Sequence, residues 1–321
     1  MHKFAYIDVA SSGEAIPLLD GERVALAGGT DLLPLIKEGL AAPATLVNLK
    51  RAADLRALRE DADGLHIGAL TTLAELERSP LVRSRYAALA ESAALAASPQ
   101  LRAMATLGGN LLQQVRCWYY RSDADCWMKG GAECPARAGE NQYHAIWDHS
   151  PCVAVHPSDP PAALLALGAT LRLAGPAGER MVALADFLQP PTEDRRALHT
   201  LGPGELICEV VIPPALGRSV YLKAMDRAAW AYALVSVAAA ARLDDGQLRD
   251  VRVVLGGVAN TPLALPAVDA LLEGQPIDAA LLDRAGELAA QGATPLARNG
   301  YKVSLVRNLV GEALRQLAGL A

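Results

Sequence analysis

Cys117, Cys126, Cys134 and Cys152 are four of the five cysteines in a chain of 321 residues, and they fall within 36 residues of one another. Eight, seven and seventeen residues separate them. Structural zinc sites draw on short Cys-x-x-Cys knuckles, which this stretch lacks. Iron–sulfur clusters also take four thiolates, with spacings that vary between families. The pattern favours an iron–sulfur cluster over zinc and leaves unligated cysteines as a third reading. Trp118, Trp127 and Trp147, with Tyr119, Tyr120 and Tyr143, supply a shielding shell, and Gly130-Gly131 permits close backbone approach. A loop this long inside a compact domain is functional or disordered, and its aromatic content argues against disorder. His144, His149 and His156 are alternative ligands by type but read as loop and packing residues. Cys208, in ELICEVVIP, reads as buried core.

Two glycine turns form the next constellation. Val24 to Ala27 read as a strand, Gly28-Gly29 as a turn, and Thr30 or Asp31 as the cap of a helix with Pro34 in its first turn. Paired glycines let successive amides converge on an anion, and a helix start adds partial positive charge. Such a turn could hold a pyrophosphate, or it is only a tight connection. Thr106-Leu107-Gly108-Gly109-Asn110 is a second turn of the same kind. Neither the dinucleotide fingerprint G-x-G-x-x-G nor a phosphate-loop lysine motif is present, so a bound dinucleotide would not sit in a Rossmann fold. His156-Pro157-Ser158-Asp159-Pro160 presents a hydroxyl and a carboxylate from a rigid turn, and Ser-Asp-Pro also suits a helix N-cap. Lys223 is a lone cation at a strand start that could reach a flavin or phosphate; by itself it reads as exposed.

The surrounding elements must position these groups. TLVNL reads as a short strand, GLHIGALTTLAELE as strand then helix, SRYAALAESAALAAS as a helix, and LRAMATLGGNLLQQ as turn-rich backbone. After Cys152, the expected order is a strand stub at VAVH, a Pro/Asp turn, a short helix and a strand. ELICEVVIPP is a strand closed by prolines. YALVSVAAAARL and LRDVRVVLGGV are joined by DDGQ as a hairpin, and three helical segments follow. The texture changes near residues 215 to 220, which divides the chain into an α/β part and an α+β part. Length allows two domains. The net charge of −5 and the absence of a basic stripe argue against nucleic acid. The N-terminus lacks a signal-peptide pattern and no apolar run is long enough to span a bilayer, so a cytoplasmic protein is expected, periplasmic only if carried out by a signal-bearing partner.

AGGTDLLPLIK, TLGGNLLQ, HPSDPPAALLALGA, and YLK followed by YALVSVAAAARLDDG occur in an order that resembles the FAD-binding medium subunit of molybdenum hydroxylases, the xanthine dehydrogenase, carbon monoxide dehydrogenase and aldehyde oxidoreductase superfamily. The resemblance covers essentially the whole chain. It implies an α+β protein: a vanillyl-alcohol-oxidase-type (PCMH-type) FAD-binding fold of two α/β subdomains over residues 1–217, then a domain over 218–321 like that of the carbon monoxide dehydrogenase flavoprotein. By resemblance Val24, Ala25, Leu26, Ala27, Gly28, Gly29, Thr30, Asp31 and Leu32 would line the FAD pyrophosphate. Thr106, Gly109 and Asn110 would form a second FAD-contacting loop. Ser158 and Asp159 would lie at the cofactor, and Lys223 would approach the flavin.

The cysteine segment, about residues 112–155, looks like the insertion of the periplasmic aldehyde oxidoreductase FAD subunit and the 4-hydroxybenzoyl-CoA reductase β subunit. That likeness implies a [4Fe-4S] cluster on Cys117, Cys126, Cys134 and Cys152. The implied function is electron transfer through FAD between an external acceptor and [2Fe-2S] clusters on a small partner subunit, with substrate chemistry at a molybdenum cofactor on a large one. Two [2Fe-2S] clusters need eight thiolates and this chain has five cysteines, so it cannot be the complete enzyme. The competing readings are a self-contained FAD dehydrogenase or oxidase and a zinc-stapled binding module.

Overall fold

The computed structural model describes residues 2–215 and 217–320. Its elements form three sheets. Ala5–Asp8 (β1), Arg23–Leu26 (β2) and Thr45–Asn48 (β3) make a parallel sheet in the order β1-β3-β2. The central strand TLVN is buried at all four positions, as a parallel strand covered on both faces must be. Leu58–Asp61 (β4), Gly64–Gly68 (β5), Thr170–Gly175 (β6), Gly178–Ala183 (β7) and Leu206–Ile212 (β8) form an antiparallel sheet ordered β4-β5-β8-β6-β7. Its core is closed by Leu73, Leu76, Val82 and Leu89 from the consecutive helices Leu73–Arg78, Pro80–Arg85 and Ala87–Leu95, and by Tyr86 at the junction of the last two.

The C-terminal sheet holds Arg218–Ala224 (β9), Val235–Asp244 (β10), Gln247–Gly256 (β11) and Leu263–Ala264 (β12), ordered β12-β11-β10-β9. The DDGQ segment turns β10 into β11 through Asp245 and Gly246, both at positive φ (47° and 76°). That is the two-residue hairpin the right-handed twist of the strands favours. Helices Pro266–Leu272, Ala279–Ala289 and Tyr301–Ala318 contribute Val268, Leu282, Val306 and Val310 to the core over this sheet.

Two local expectations differ. TLGGN is not a free turn: Thr106 caps a short helix, Leu107–Leu111, by accepting from Gly109 N (3.2 Å). VAVH forms no strand, because its backbone bonds are taken by the loop before β12: His156 N donates to Ala259 O (3.0 Å), and Asn260 Nδ2 donates to Cys152 O and Ala154 O. The insertion itself is irregular, with single 3₁₀ turns at Trp127–Lys129 and Pro135–Arg137.

Candidate functional site

The first glycine turn lies where β2 hands over to the helix Leu32–Lys37, whose N-cap is Asp31. Gly29 adopts φ +76°, which favours glycine, while a Cβ on Gly28 would collide with the Met104 carbonyl oxygen. The first glycine therefore brings the two glycine-bearing segments together and the second turns the chain. Among the described residues, the amides of Gly28, Gly29, Thr30 and Asp31 donate to no carbonyl or side chain.

Opposite stand Thr106, Gly109 and Asn110, and beside them Ser158 and Asp159. Ser158 Oγ donates to Asn110 Oδ1 (2.9 Å), and Asn110 Nδ2 donates to Thr106 O (2.9 Å). Together these segments border a cleft of about 350 Å³. Val24, Ala25, Ala27 to Leu32, Thr106, Gly109, Asn110, Ser158 and Asp159 all lie on its wall. Leu26 is not on this wall and joins a small core with Ile36 and Leu46 instead. The cleft also takes residues the motifs did not mark: Leu206 and Ile207 from β8, Arg116 at the start of the insertion, and Trp230 and Tyr232 after β9. Of these, Trp230 and Tyr232 carried one signal, aromatic character in a chain poor in aromatics, and Leu206, Ile207 and Arg116 carried no binding signal.

Asp159 occupies the N-cap position of the helix Pro160–Ala166 but makes no capping bond. Its carboxylate accepts instead from Tyr221 Oη (2.7 Å) and Lys223 Nζ (2.8 Å). Lys223 is thus buried rather than exposed; it stands behind Asp159, off the cleft wall, and donates also to Leu95 O (2.9 Å). Burial pushes the Asp159 carboxyl up, and Lys223 and Tyr221 oppose that shift.

Asp31 ties the first turn to the insertion. Its carboxylate accepts from Gln114 N (2.8 Å), Arg116 Nη2 (2.7 Å) and Arg121 Nη2 (3.0 Å). Within the insertion, Cys117, Cys126 and Cys152 pack with Val115, Trp127 and Leu198. The Cys152 thiol beside Cys134 holds Cys134 down to about 6 and is itself pushed up. Burial pushes Cys117 up to about 11, with the charges of Cys126 and Cys134 adding to it. Each thiol therefore has another of the four as a neighbour. Even so, no group of three or more His, Cys, Asp or Glu among the described residues stands close enough to hold a metal ion. Tetrahedral zinc would need its sulfurs about 2.3 Å from one common point. Among the described residues the four thiols are therefore not gathered on one metal centre.

Of the three histidines, His149 is exposed, His144 places Nε2 3.1 Å from Cys117 Sγ, and His156 is buried. Cys208 is buried beneath the first sheet as a core residue. The C-terminal domain grips the insertion. Asn299 Nδ2 donates to His144 O and Ala145 O, and Lys302 Nζ to Tyr143 O, His144 O and Gly257 O. No helix among the described residues is long and apolar enough to cross a membrane.

Residues 2–215 match the family described as the FAD binding domain in molybdopterin dehydrogenase, and residues 220–317 match the CO dehydrogenase flavoprotein C-terminal domain. The chain is 37% identical to the aldehyde oxidoreductase FAD-binding subunit PaoB of Escherichia coli (strain K12), over 98% of each. It is 29% identical to the carbon monoxide dehydrogenase medium chain of Afipia carboxidovorans, over 98% of this chain and 94% of that one. A chain of the carbon monoxide dehydrogenase from Hydrogenophaga pseudoflava superposes with a TM-score of 0.79 at 27% identity, covering 100% of this chain and 99% of that one.

Proposed function

Because the chain belongs to the FAD-binding medium subunits of the molybdenum hydroxylase family, we propose that it holds FAD in the cleft bordered by Gly28 to Asp31, Thr106 to Asn110 and Ser158-Asp159. In that role it relays electrons between [2Fe-2S] clusters on a small partner subunit and an external acceptor, with substrate chemistry on a large molybdopterin-binding subunit. FAD supplies the capacity to take up an electron pair and release it onward. The chain's residues supply position and field. The observation that carries the reading is the convergence of three sequence-distant segments on one cleft, where four successive amides have no acceptor among the described residues. Unpaired amides in a glycine turn are donors for phosphate oxygens. Leu206, Ile207, Trp230 and Tyr232 add apolar and aromatic surface to the cleft wall, which suits the ring systems of such a cofactor.

In the same reading Cys117, Cys126, Cys134 and Cys152 ligate a [4Fe-4S] cluster. Support comes from their mutual proximity, the apolar packing of Trp127 and Met128, and the His144 ring on the Cys117 sulfur. Hydrogen bonds to sulfur and burial are the levers that tune such a cluster. The division of the chain near residues 215 to 220, between β8 and β9, belongs to this reading too.

Anaerobic purification of the native complex, with flavin, iron and molybdenum analysis, tests the assignment. Flavin should accompany this chain, and two partner subunits should accompany it in turn. Full-rate aldehyde turnover by the chain alone would overturn the division of labour. Cys134→Ser should lose iron and keep most of the FAD, and unchanged iron and sulfide would remove the cluster ligand set.

A further inference from the structure

A second, open recess of about 630 Å³ adjoins the cofactor cleft. Ala27, Gly28, Leu70 and Thr106 line both, and Gly28, packed against the Met104 carbonyl, belongs to the partition between them. Three cations stand in the wall of the recess. Lys50 follows β3, Arg56 follows the 3₁₀ turn Ala53–Leu55, and Arg78 ends the helix Leu73–Arg78.

None of the three forms an ion pair among the described residues. Lys50 Nζ donates to Asn48 Oδ1 (3.1 Å) and Arg56 Nη2 to Lys50 O (3.4 Å), while Arg78 has no partner among those residues. The neighbouring carboxylates are engaged elsewhere. Glu75, the one acid in the lining, accepts at Oε2 from Thr72 N (2.6 Å) and Thr72 Oγ1 (2.8 Å). Glu77 is held by Arg102 (2.8 Å), and Asp8 accepts from Asn48 Nδ2 (2.6 Å). Three cations against one occupied carboxylate make this a positive recess on a chain whose net charge is −5. It is open to a ligand, since the side chains of Arg56, Arg78 and Met104 are exposed.

A lone phosphate ion would fill a small part of this space, which falls within the roughly 300–1,000 Å³ of pockets for larger ligands. Leu58, Leu70 and Ala74 supply apolar surface, and the Met104 thioether suits contact with an aromatic ring. Charge and size together call for several phosphate oxygens attached to a ring. We propose that the recess binds a nucleoside diphosphate, its phosphates on Lys50, Arg56 and Arg78 and its base against Leu58 and Met104. Guanidinium groups match phosphate oxygens two at a time, and the lysine adds a point charge. The proposal does not depend on what the neighbouring cleft holds.

ADP is the probe, with inorganic pyrophosphate and adenosine as its phosphate and nucleoside parts. Calorimetric titration of the purified native complex reports binding, and flavin absorbance reports the state of the cleft. ADP should bind saturably and more tightly than either part. Its affinity should fall as salt rises from about 0.01 M to about 0.15 M, over which the screening length shrinks from about 30 Å to about 8 Å. The double variant Arg56→Ala/Arg78→Ala, changed at two exposed positions, should weaken ADP roughly tenfold. Arg83→Ala, which removes an exposed arginine outside the recess, should leave ADP affinity unchanged. Absence of saturable ADP binding, or equal affinity in the double variant and the parent, would overturn the site. Pyrophosphate binding as tightly as ADP would overturn the nucleoside assignment, and release of flavin by ADP would place the nucleotide in the cofactor cleft instead. A complex without flavin would overturn the FAD reading and leave the ADP titration to decide the recess.

Discussion

Lys223 Nζ lies 2.8 Å from Asp159 Oδ2, with the two side chains 0% and 6% exposed. The pair joins β9 of the C-terminal domain to the turn that borders the cofactor cleft, and Tyr221 from the same strand completes it at Oδ1. Lys223 is a positioning residue: it acts on the cleft through Asp159.

Lys223→Met leaves a buried carboxylate without its cation. Removing one partner of such a pair costs about 3–5 kcal/mol, whereas removing both charges is much milder. Thermal unfolding should show a large loss for Lys223→Met and substantial recovery in the double variant Lys223→Met/Asp159→Asn. The flavin-to-protein ratio should fall in the single variant. Equal stability of the single variant and the parent would dismiss the pair as a structural link.

Gly28→Ala tests the approach of the two glycine segments. The added methyl meets the Met104 carbonyl, a backbone atom that cannot rotate away. The two sides of the cleft must then separate, and flavin retention should drop sharply. Gly21→Ala, where a Cβ meets nothing but φ is +91°, controls for backbone strain alone. It should reduce stability slightly and leave flavin content as it was.

Asp31 collects Gln114 N, Arg116 and Arg121, so Asp31→Ala frees the Arg116 guanidinium from its carboxylate, leaves Arg121 held by Glu38 and Val115 O alone, and removes the acceptor of Gln114 N. Proteolysis within residues 117–152 should accelerate in this variant. An unchanged cleavage rate would show that the insertion is held without this link.

The parts of the site that lay in local pattern were readable. Glycine pairs after a strand, a Ser-Asp-Pro turn and clustered cysteines announce themselves within a few residues; the glycine and Ser-Asp-Pro segments border one cleft, and Cys117, Cys126 and Cys152 share one packed cluster with Trp127. What was not readable depends on contacts between distant segments. Lys223 looks like any surface lysine until β9 sets it against a turn 64 residues earlier. Asp159 looks like a cap because local grammar favours one, but a buried cation and a phenol outbid the helix amides. Asn260, Asn299 and Lys302 have no motif at all, yet they hold the insertion. Their role exists only because three-dimensional packing brings unpaired carbonyls to them.

Lys302 provides the most direct measurement of that grip. Its ammonium donates to Tyr143 O (3.0 Å), His144 O (3.0 Å) and Gly257 O (2.8 Å), three acceptors for three N–H bonds. Burial pulls the group from 10.5 down to about 7. A folded-state value below the unfolded one means that the unfolded chain binds more protons between those limits, so this site's contribution to stability rises with pH from about 7 to 10.5. Lys302→Met removes the titration and leaves three buried carbonyls without donors, at about 1–3 kcal/mol each. The variant should therefore unfold at lower temperature at neutral pH and lose the part of the pH slope that belongs to Lys302. Thermal unfolding of the native complex and the variant at several pH values across that window reads both effects. Parallel pH profiles for the two proteins would show that the ammonium, held by its three carbonyls, stays charged throughout and that burial does not set its protonation.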